Sequence, residues 1–228
     1  MDDKKNYYSI KFIIIGDTGV GKTQIVYRYT KGEFNDAIES TLGTDFSSKN
    51  IKINDKIFHL ELWDTAGMET FKAIRQNYYK NAACAIIVYD ITNKSSFESI
   101  DKWIKECDMY SYNDNLIMIL VGNKTDLSDE REVTEEEGKS LIKNDNMEFF
   151  ESSALNGYNI NEIFKNATLK IYNIIKDGIE NKEYKWITEE RIKNKLDIDE
   201  NISVGINLDN QNQNQNSKRK KKKCWCLI

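Results

Sequence analysis

The sequence predicts an α/β fold: a mostly parallel six-stranded sheet with one antiparallel strand and helices on both faces. Three observations carry that prediction. Short β-branched apolar runs recur between residues 8 and 176, separated by longer stretches whose apolar residues keep helical spacing. The runs "YYSIKFIII", "CAIIVYD" and "LIMILVGN" are nearly continuously apolar, as in strands covered on both faces. The pair "FSSKNIKIN" and "KIFHLELW" instead alternates with period two around Asn54-Asp55, a hairpin signal.

Taken in order, "YYSIKFIII" is the first strand and "KTQIVYRYTKGEF" the helix after it. In the hairpin, Phe58, Leu60 and Leu62 pointing inward leave His59, Glu61 and Trp63 outward. On its partner strand, Ile51 and Ile53 inward leave Phe46 outward too. The strand "CAIIVYD" precedes a helix marked by Phe97, Ile100, Ile104 and Cys107. After "LIMILVGN", Thr134 and Glu137 have the spacing of a capping box that opens a helix before Leu141 and Ile142. "MEFFESS" supplies the sixth strand, and Ile160, Ile163, Phe164, Ala167 and Ile171 mark the last helix. This β-α-β-β-α-β-α order is that of a mostly parallel sheet.

Beyond residue 176 the character changes. "DGIENKEYKWITEERIKNKLDIDEN" is charged with scattered apolar residues, a continuation of the last helix that frays. "NLDNQNQNQNS" is polar and low in complexity, the composition of a disordered tether. The expected organisation is an N-terminal extension at 1–7, a globular domain at 8–176, a tether at 177–217 and a basic, cysteine-containing tail at 218–228.

Composition narrows the function. The 228 residues allow one domain of ordinary size plus an appendage. No apolar run reaches the roughly 18–20 residues that span a bilayer, and "MDDKKNYYSIKF" has no signal-peptide core. Cys84 and Cys107, isolated in apolar surroundings, suit reduced cytosolic thiols. Removing the six positive charges of "KRKKKK" (218–223) from the net −4 leaves −10 on the first 217 residues. So acidic a body argues against nucleic acid as partner, and the basic block calls for an anionic partner of its own.

"GDTGVGKT", Gly16 to Thr23, matches the phosphate-binding loop G-x-x-x-x-G-K-[ST] and lies between a strand and a helix. Its glycines let backbone N–H groups turn inward around phosphate, and the helix N-terminus adds a favourable field. Lys22 would reach the β- and γ-phosphates, and the Thr23 hydroxyl would ligate Mg²⁺. A second motif, "GNKTD" (Gly122 to Asp126), ends a strand at the sheet edge where such folds bind ligands. Alone it reads as a surface turn. Beside a phosphate loop, Asp126 becomes an acceptor for guanine N1–H and the 2-amino group, which adenine cannot satisfy. "ESSAL" (Glu151 to Leu155) then offers a backbone N–H to guanine O6.

With these motifs in order, the chain resembles the small GTPases of the Ras superfamily, and most closely the Rab branch. The resemblance covers residues 8–176 and includes "TLGTDF", "LELWDTAG", "YYKNA" and "IVYDIT". It implies a P-loop NTPase fold of the small G domain type, a GTP hydrolase with Mg²⁺ as cofactor and GTP and GDP as substrate and product. By that match, nucleotide contacts fall on Gly16, Asp17, Thr18, Gly19, Val20, Gly21, Lys22, Thr23, Gln24, Phe34, Thr41, Asp64, Gly67, Asn123, Lys124, Asp126, Ser153, Ala154 and Leu155. Thr23, Thr41 and Asp64 would complete the metal shell, Asp64 through water. Lys22, Thr41, Gly67 and Met68 occupy the catalytic positions, Gly67 sensing the γ-phosphate, and Phe34 would lie edge-on to the base. Phe46, Trp63 and Tyr78 match the aromatic set through which Rab proteins meet effectors. Exposed aromatics of this kind suit an interface, unless the switch loops cover them. His59, the only histidine, is expected to be an exposed strand residue.

Four positions depart from the family pattern. Met68 stands where a glutamine usually orients the attacking water, and a thioether is a poor substitute for that polar contact. Slow intrinsic hydrolysis follows as an expectation, with binding retained. Leu155 replaces a lysine, Ile38 stands where many relatives have tyrosine, and Thr18 is bulkier than the glycine of Ras itself.

The ending "KRKKKKCWCLI" lacks a strict C-a-a-X box. Cys224 and Cys226 resemble the Cys-X-Cys endings on which Rab proteins carry geranylgeranyl groups. A lipid plus a basic cluster would be a two-signal anchor, against which stands a nuclear-localisation-like basic run. The resemblance implies effectors, an exchange factor, an activating protein, a prenylation escort and a GDP-dissociation inhibitor as partners. It also implies a monomer, on the cytoplasmic side of membranes and cycling through the cytosol. The reading is a membrane-tethered GTP/GDP switch in vesicle traffic. Its rivals are a GTP-binding scaffold with negligible turnover and an ATP-dependent P-loop enzyme, the latter disfavoured by Asp126.

Overall fold

The structure, a computed structural model, describes residues 7–38, 44–65, 78–111, 113 and 115–181. All fall within one compact unit. Strands β1 (Tyr7–Ile15), β2 (Thr44–Ile53), β3 (Lys56–Thr65), β4 (Cys84–Asp90), β5 (Ile117–Asn123) and β6 (Met147–Glu151) form one sheet in the order β2-β3-β1-β4-β5-β6. Only β2 and β3 pair antiparallel. Helices α1 (Lys22–Lys31), α2 (Lys94–Glu98), α3 (Ile100–Tyr110), α4 (Glu135–Ser140) and α5 (Ile160–Asn181) pack around it, with a 3₁₀ turn at Thr125–Glu130.

The register explains the faces. Phe58, Leu60 and Leu62 of β3 are fully buried beside Ile10, Phe12 and Ile14 of β1. There Phe164 of α5 stacks on Tyr29 of α1, with centroids 3.8 Å apart. The opposite face holds Ile13, Ile15, Ala85, Ile87 and Tyr89 under Ile100, Trp103, Ile104 and Cys107 of α3. β4 and β5 are buried along their whole length, which accounts for their unbroken apolar sequence. Because the chain leaves β1 toward β3 but crosses to β4 on the other side, the carboxyl ends of β1 and β4 form a topological switch point.

The hairpin turns at Asn54, whose φ of 53 lies in the left-handed region that Asn tolerates, and Ile53 faces Lys56 across it. The Thr134–Glu137 capping box is present, each residue bonding the other's backbone N–H. Four expectations need correction. The first helix ends at Lys31 and does not reach Phe34, because Gly32 adopts φ 80 and its N–H closes on the Arg28 carbonyl. The helix expected through Phe97 and Cys107 is two, broken at Ser99.

Trp63 differs from Phe46. Both point to the same face, yet Phe46 is 48% exposed whereas Trp63 is half-buried against the core under α3. Among the described residues, that face is partly covered at Trp63, where the Tyr78 ring and the Lys11 ammonium lie against the indole, and exposed at Phe46 on the edge strand β2. His59 is likewise half-buried, its ring 2.7 Å from the Asn50 side chain across the hairpin.

Candidate functional site

The phosphate-loop motif folds as a tight turn between β1 and α1. Gly16 has φ 139, and a Cβ there would sit 2.2 Å from the Val88 carbonyl oxygen of β4. Gly21 has φ 97 and caps α1, and a Cβ there would meet the Asn123 amide at 2.3 Å. As a glycine it gives α1 no side-chain cap, and the first turn carries no acid. The positive end of a ten-residue helix is thus left for an external anion.

Beside that helix start, Lys22 is only 6% exposed. Its ammonium donates to the Gly16 and Asp17 carbonyls at 2.9 and 2.7 Å. Burial pushes its pKa down to about 8, against the opposing pull of Asp64 and Asp17. A buried lysine bonded mainly to neutral carbonyls is poised for a polyanion.

The Thr23 hydroxyl donates to the Asp64 carboxylate at 2.5 Å, joining α1 to the end of β3. Asp64 is 2% exposed. A hydroxyl and a carboxylate are hard oxygen donors, the set that Mg²⁺ takes and that thiophilic metals do not. The residues present therefore fit Mg²⁺.

A buried asparagine ties these parts to the second motif. Asn123, 1% exposed, donates its amide N–H to the Val20 carbonyl at 2.9 Å. Its carbonyl oxygen accepts from the Ser152 hydroxyl at 3.2 Å and the Ala154 N–H at 3.3 Å. Lys124, with φ 72, pairs with Asp90 at 2.6 Å. Asp126 is exposed and accepts from the Ser153 hydroxyl. One side chain thus joins the phosphate loop to both loops expected to read the base.

The remaining expected residues divide clearly. Gln24 donates to the Asn35 carbonyl at 2.7 Å, holding the chain just past the half-buried Phe34. Phe46 meets Trp63 edge-on at 5.3 Å, and Trp63 lies 6.4 Å from Tyr78, so the three rings form one cluster. Leu155 is 48% exposed. Thr41, Gly67, Met68, Cys224 and Cys226 lie outside the described residues.

Two contributors escaped the sequence reading. Trp103 donates its indole N–H to the Asp17 carboxylate at 2.9 Å, tethering the phosphate loop to α3. Arg28 reaches the carbonyls of Ala154 and Leu155. The only signal for Trp103 was its place on the apolar face of α3, which reads as core.

Residues 11–173 match the sequence model of the Ras family. The chain belongs to the Ras family. Among curated relatives, the GTP-binding protein ypt3 of Schizosaccharomyces pombe is 40% identical over 168 residues, covering 74% of this chain and 78% of its own. The Ras-related protein RABA1b of Arabidopsis thaliana is 40% identical over 167 residues, 73% of this chain and 77% of the relative. RABA6b of the same plant is 38% identical over 177 residues, 78% and 77% respectively. The matched span of this Ras-family chain contains every loop that Asn123 ties together.

Proposed function

We propose that this Ras-family protein is a Rab-like, membrane-tethered GTP/GDP switch in vesicle traffic whose intrinsic hydrolysis is slow. The observation that carries the reading is Asn123, a buried side chain bonding the phosphate loop at Val20 and the base loop at Ala154. Such a brace gives affinity for phosphate and selection for base to one ligand.

In this reading the inward N–H groups of residues 16–23 and the start of α1 receive the phosphates, and Lys22 supplies the buried counter-charge. Thr23 and Asp64, with Thr41, would hold Mg²⁺, which when bound neutralises charge on the transferred phosphoryl group. Asp126 accepts from guanine N1–H and the 2-amino group, and the 154–155 backbone donates to O6. Thr41 and Gly67 respond to the γ-phosphate, so the segments carrying them differ between the two nucleotide states. Phe46, Trp63 and Tyr78 present the effector face.

Met68 sets the rate. Without the amide that orients the attacking water, each tenfold loss corresponds to about 1.4 kcal/mol of barrier. The tail supplies the membrane: prenyl groups on Cys224 and Cys226 contribute about 0.8 kcal/mol per buried CH₂, and "KRKKKK" adds attraction to anionic lipid. Exchange factor, activating protein, prenylation escort and GDP-dissociation inhibitor would act as they do for Rab proteins.

Competition between GTP and ATP for the purified protein with Mg²⁺ tests the nucleotide reading. GTP should displace labelled GDP at concentrations where ATP has no effect. Equal displacement by ATP would overturn it.

A further inference from the structure

Arg28, which none of the sequence motifs includes, projects from α1 to the loop that carries "ESSAL". Its guanidinium makes three bonds, all to backbone carbonyls: Nε to Ala154 at 2.8 Å, Nη2 to Leu155, and Nη1 to Gly32 at 3.0 Å. Ala154 and Leu155 belong to the loop after β6, and Gly32 is the turn two residues before Phe34. One rigid planar fork therefore holds both segments that flank the proposed base site.

A carbonyl held in place fixes more than itself. The peptide unit is planar and trans, so its N–H points opposite to its C=O. With the Ala154 oxygen drawn toward Arg28, the N–H of Leu155 is turned away from Arg28. The next peptide shows the same arrangement. The Leu155 oxygen faces Arg28, and the Asn156 N–H on the far side donates to the Ser153 hydroxyl at 3.2 Å. That hydroxyl in turn donates to Asp126. The loop also closes through Gly157 N–H to the Ser153 carbonyl at 2.9 Å. Leu155 itself brings an aliphatic side chain to this loop, so the loop's polar offer to a ligand is its backbone.

We propose that Arg28 is a positioning residue for base recognition: it orients the 154–155 peptide so that its N–H donates to the carbonyl oxygen at position 6 of guanine. The proposal deepens the guanine-nucleotide reading and rests on it. Arg28 touches no ligand atom, and its effect depends on what the base offers at position 6.

That dependence gives the test. Wild type, Arg28→Met and Arg28→Lys are titrated with GDP, IDP and the 5′-diphosphate of 2-aminopurine riboside. IDP keeps the position-6 oxygen and lacks the 2-amino group, whereas the aminopurine analogue lacks the oxygen. Arg28→Met should weaken GDP and IDP by about tenfold each, the worth of one well-aligned hydrogen bond, and the aminopurine analogue by less than about twofold. Arg28→Lys, which keeps a charge and a donor, should fall between and gives the same comparison should Arg28→Met not fold. Equal weakening of all three ligands would make Arg28 a merely structural brace and overturn the proposal, as would no weakening of any. Wild type that fails to bind GDP would instead overturn the nucleotide reading, and this proposal with it.

Discussion

The Asn123 side chain donates to the Val20 carbonyl at 2.9 Å while its own carbonyl oxygen accepts from the Ala154 N–H at 3.3 Å. Three loops that are remote in sequence thus share one buried amide. Asn123→Ala leaves the Val20 oxygen, the Ala154 N–H and the Ser152 hydroxyl short of a partner. Urea unfolding should show a loss of about 2–4 kcal/mol, and GDP should dissociate faster. Asn123→Asp, which cannot donate to Val20, should show much of the same loss.

Gly21→Ala is predicted to be worse for binding than for folding. Its Cβ would lie 2.3 Å from the Asn123 amide at a φ of 97. Forcing an L side chain there costs on the order of 1–3 kcal/mol. The same shift displaces the start of α1 from the phosphates. Nucleotide affinity should fall at least tenfold while circular dichroism keeps its helical signal.

Trp103→Phe separates packing from polarity. The ring remains apolar and buried, but the bond to Asp17 at 2.9 Å is lost. Stability should drop by about 1 kcal/mol, and spontaneous GDP release should quicken by severalfold as the phosphate loop loosens. Release measured with a fluorescent GDP analogue reads this directly.

These contacts also show what could be read from sequence. What was legible was placement: "GDTGVGKT" falls between β1 and α1 and "GNKTD" at the carboxyl end of β5, as their sequence context implied, and strand alternation fixed the faces of β3. The braces were not legible. Trp103 and Asp17 are 86 positions apart, and Arg28 and Ala154 are 126 apart. A tryptophan on an apolar helix face reads as core, and an arginine bonded to carbonyls leaves no complementary charge in the sequence. Trp63 was misjudged because period-two alternation assigns a residue to a face without saying what covers that face.

Acid sensitivity should concentrate at the start of α4. Glu137 is held down to about 2 from 4.5 by Lys94 first, then by the Thr134 backbone and hydroxyl. Its folded pKa lies below its unfolded one. Its contribution is therefore present above about pH 4.5 and is lost as pH falls toward 2. Urea midpoints of Glu137→Gln should change less between pH 5 and 2.5 than those of wild type, and the difference should shrink as salt is added, because the pair is exposed and screened.

The central claim is a guanine-nucleotide switch whose off-step is slow for want of a polar group at residue 68. Single-turnover hydrolysis of preloaded Mg²⁺·GTP, wild type beside Met68→Gln, tests it most directly. The account predicts measurable but slow turnover in wild type and a rate at least about tenfold higher in Met68→Gln, equivalent to about 1.4 kcal/mol. Wild type hydrolysing GTP as fast as Met68→Gln would contradict it.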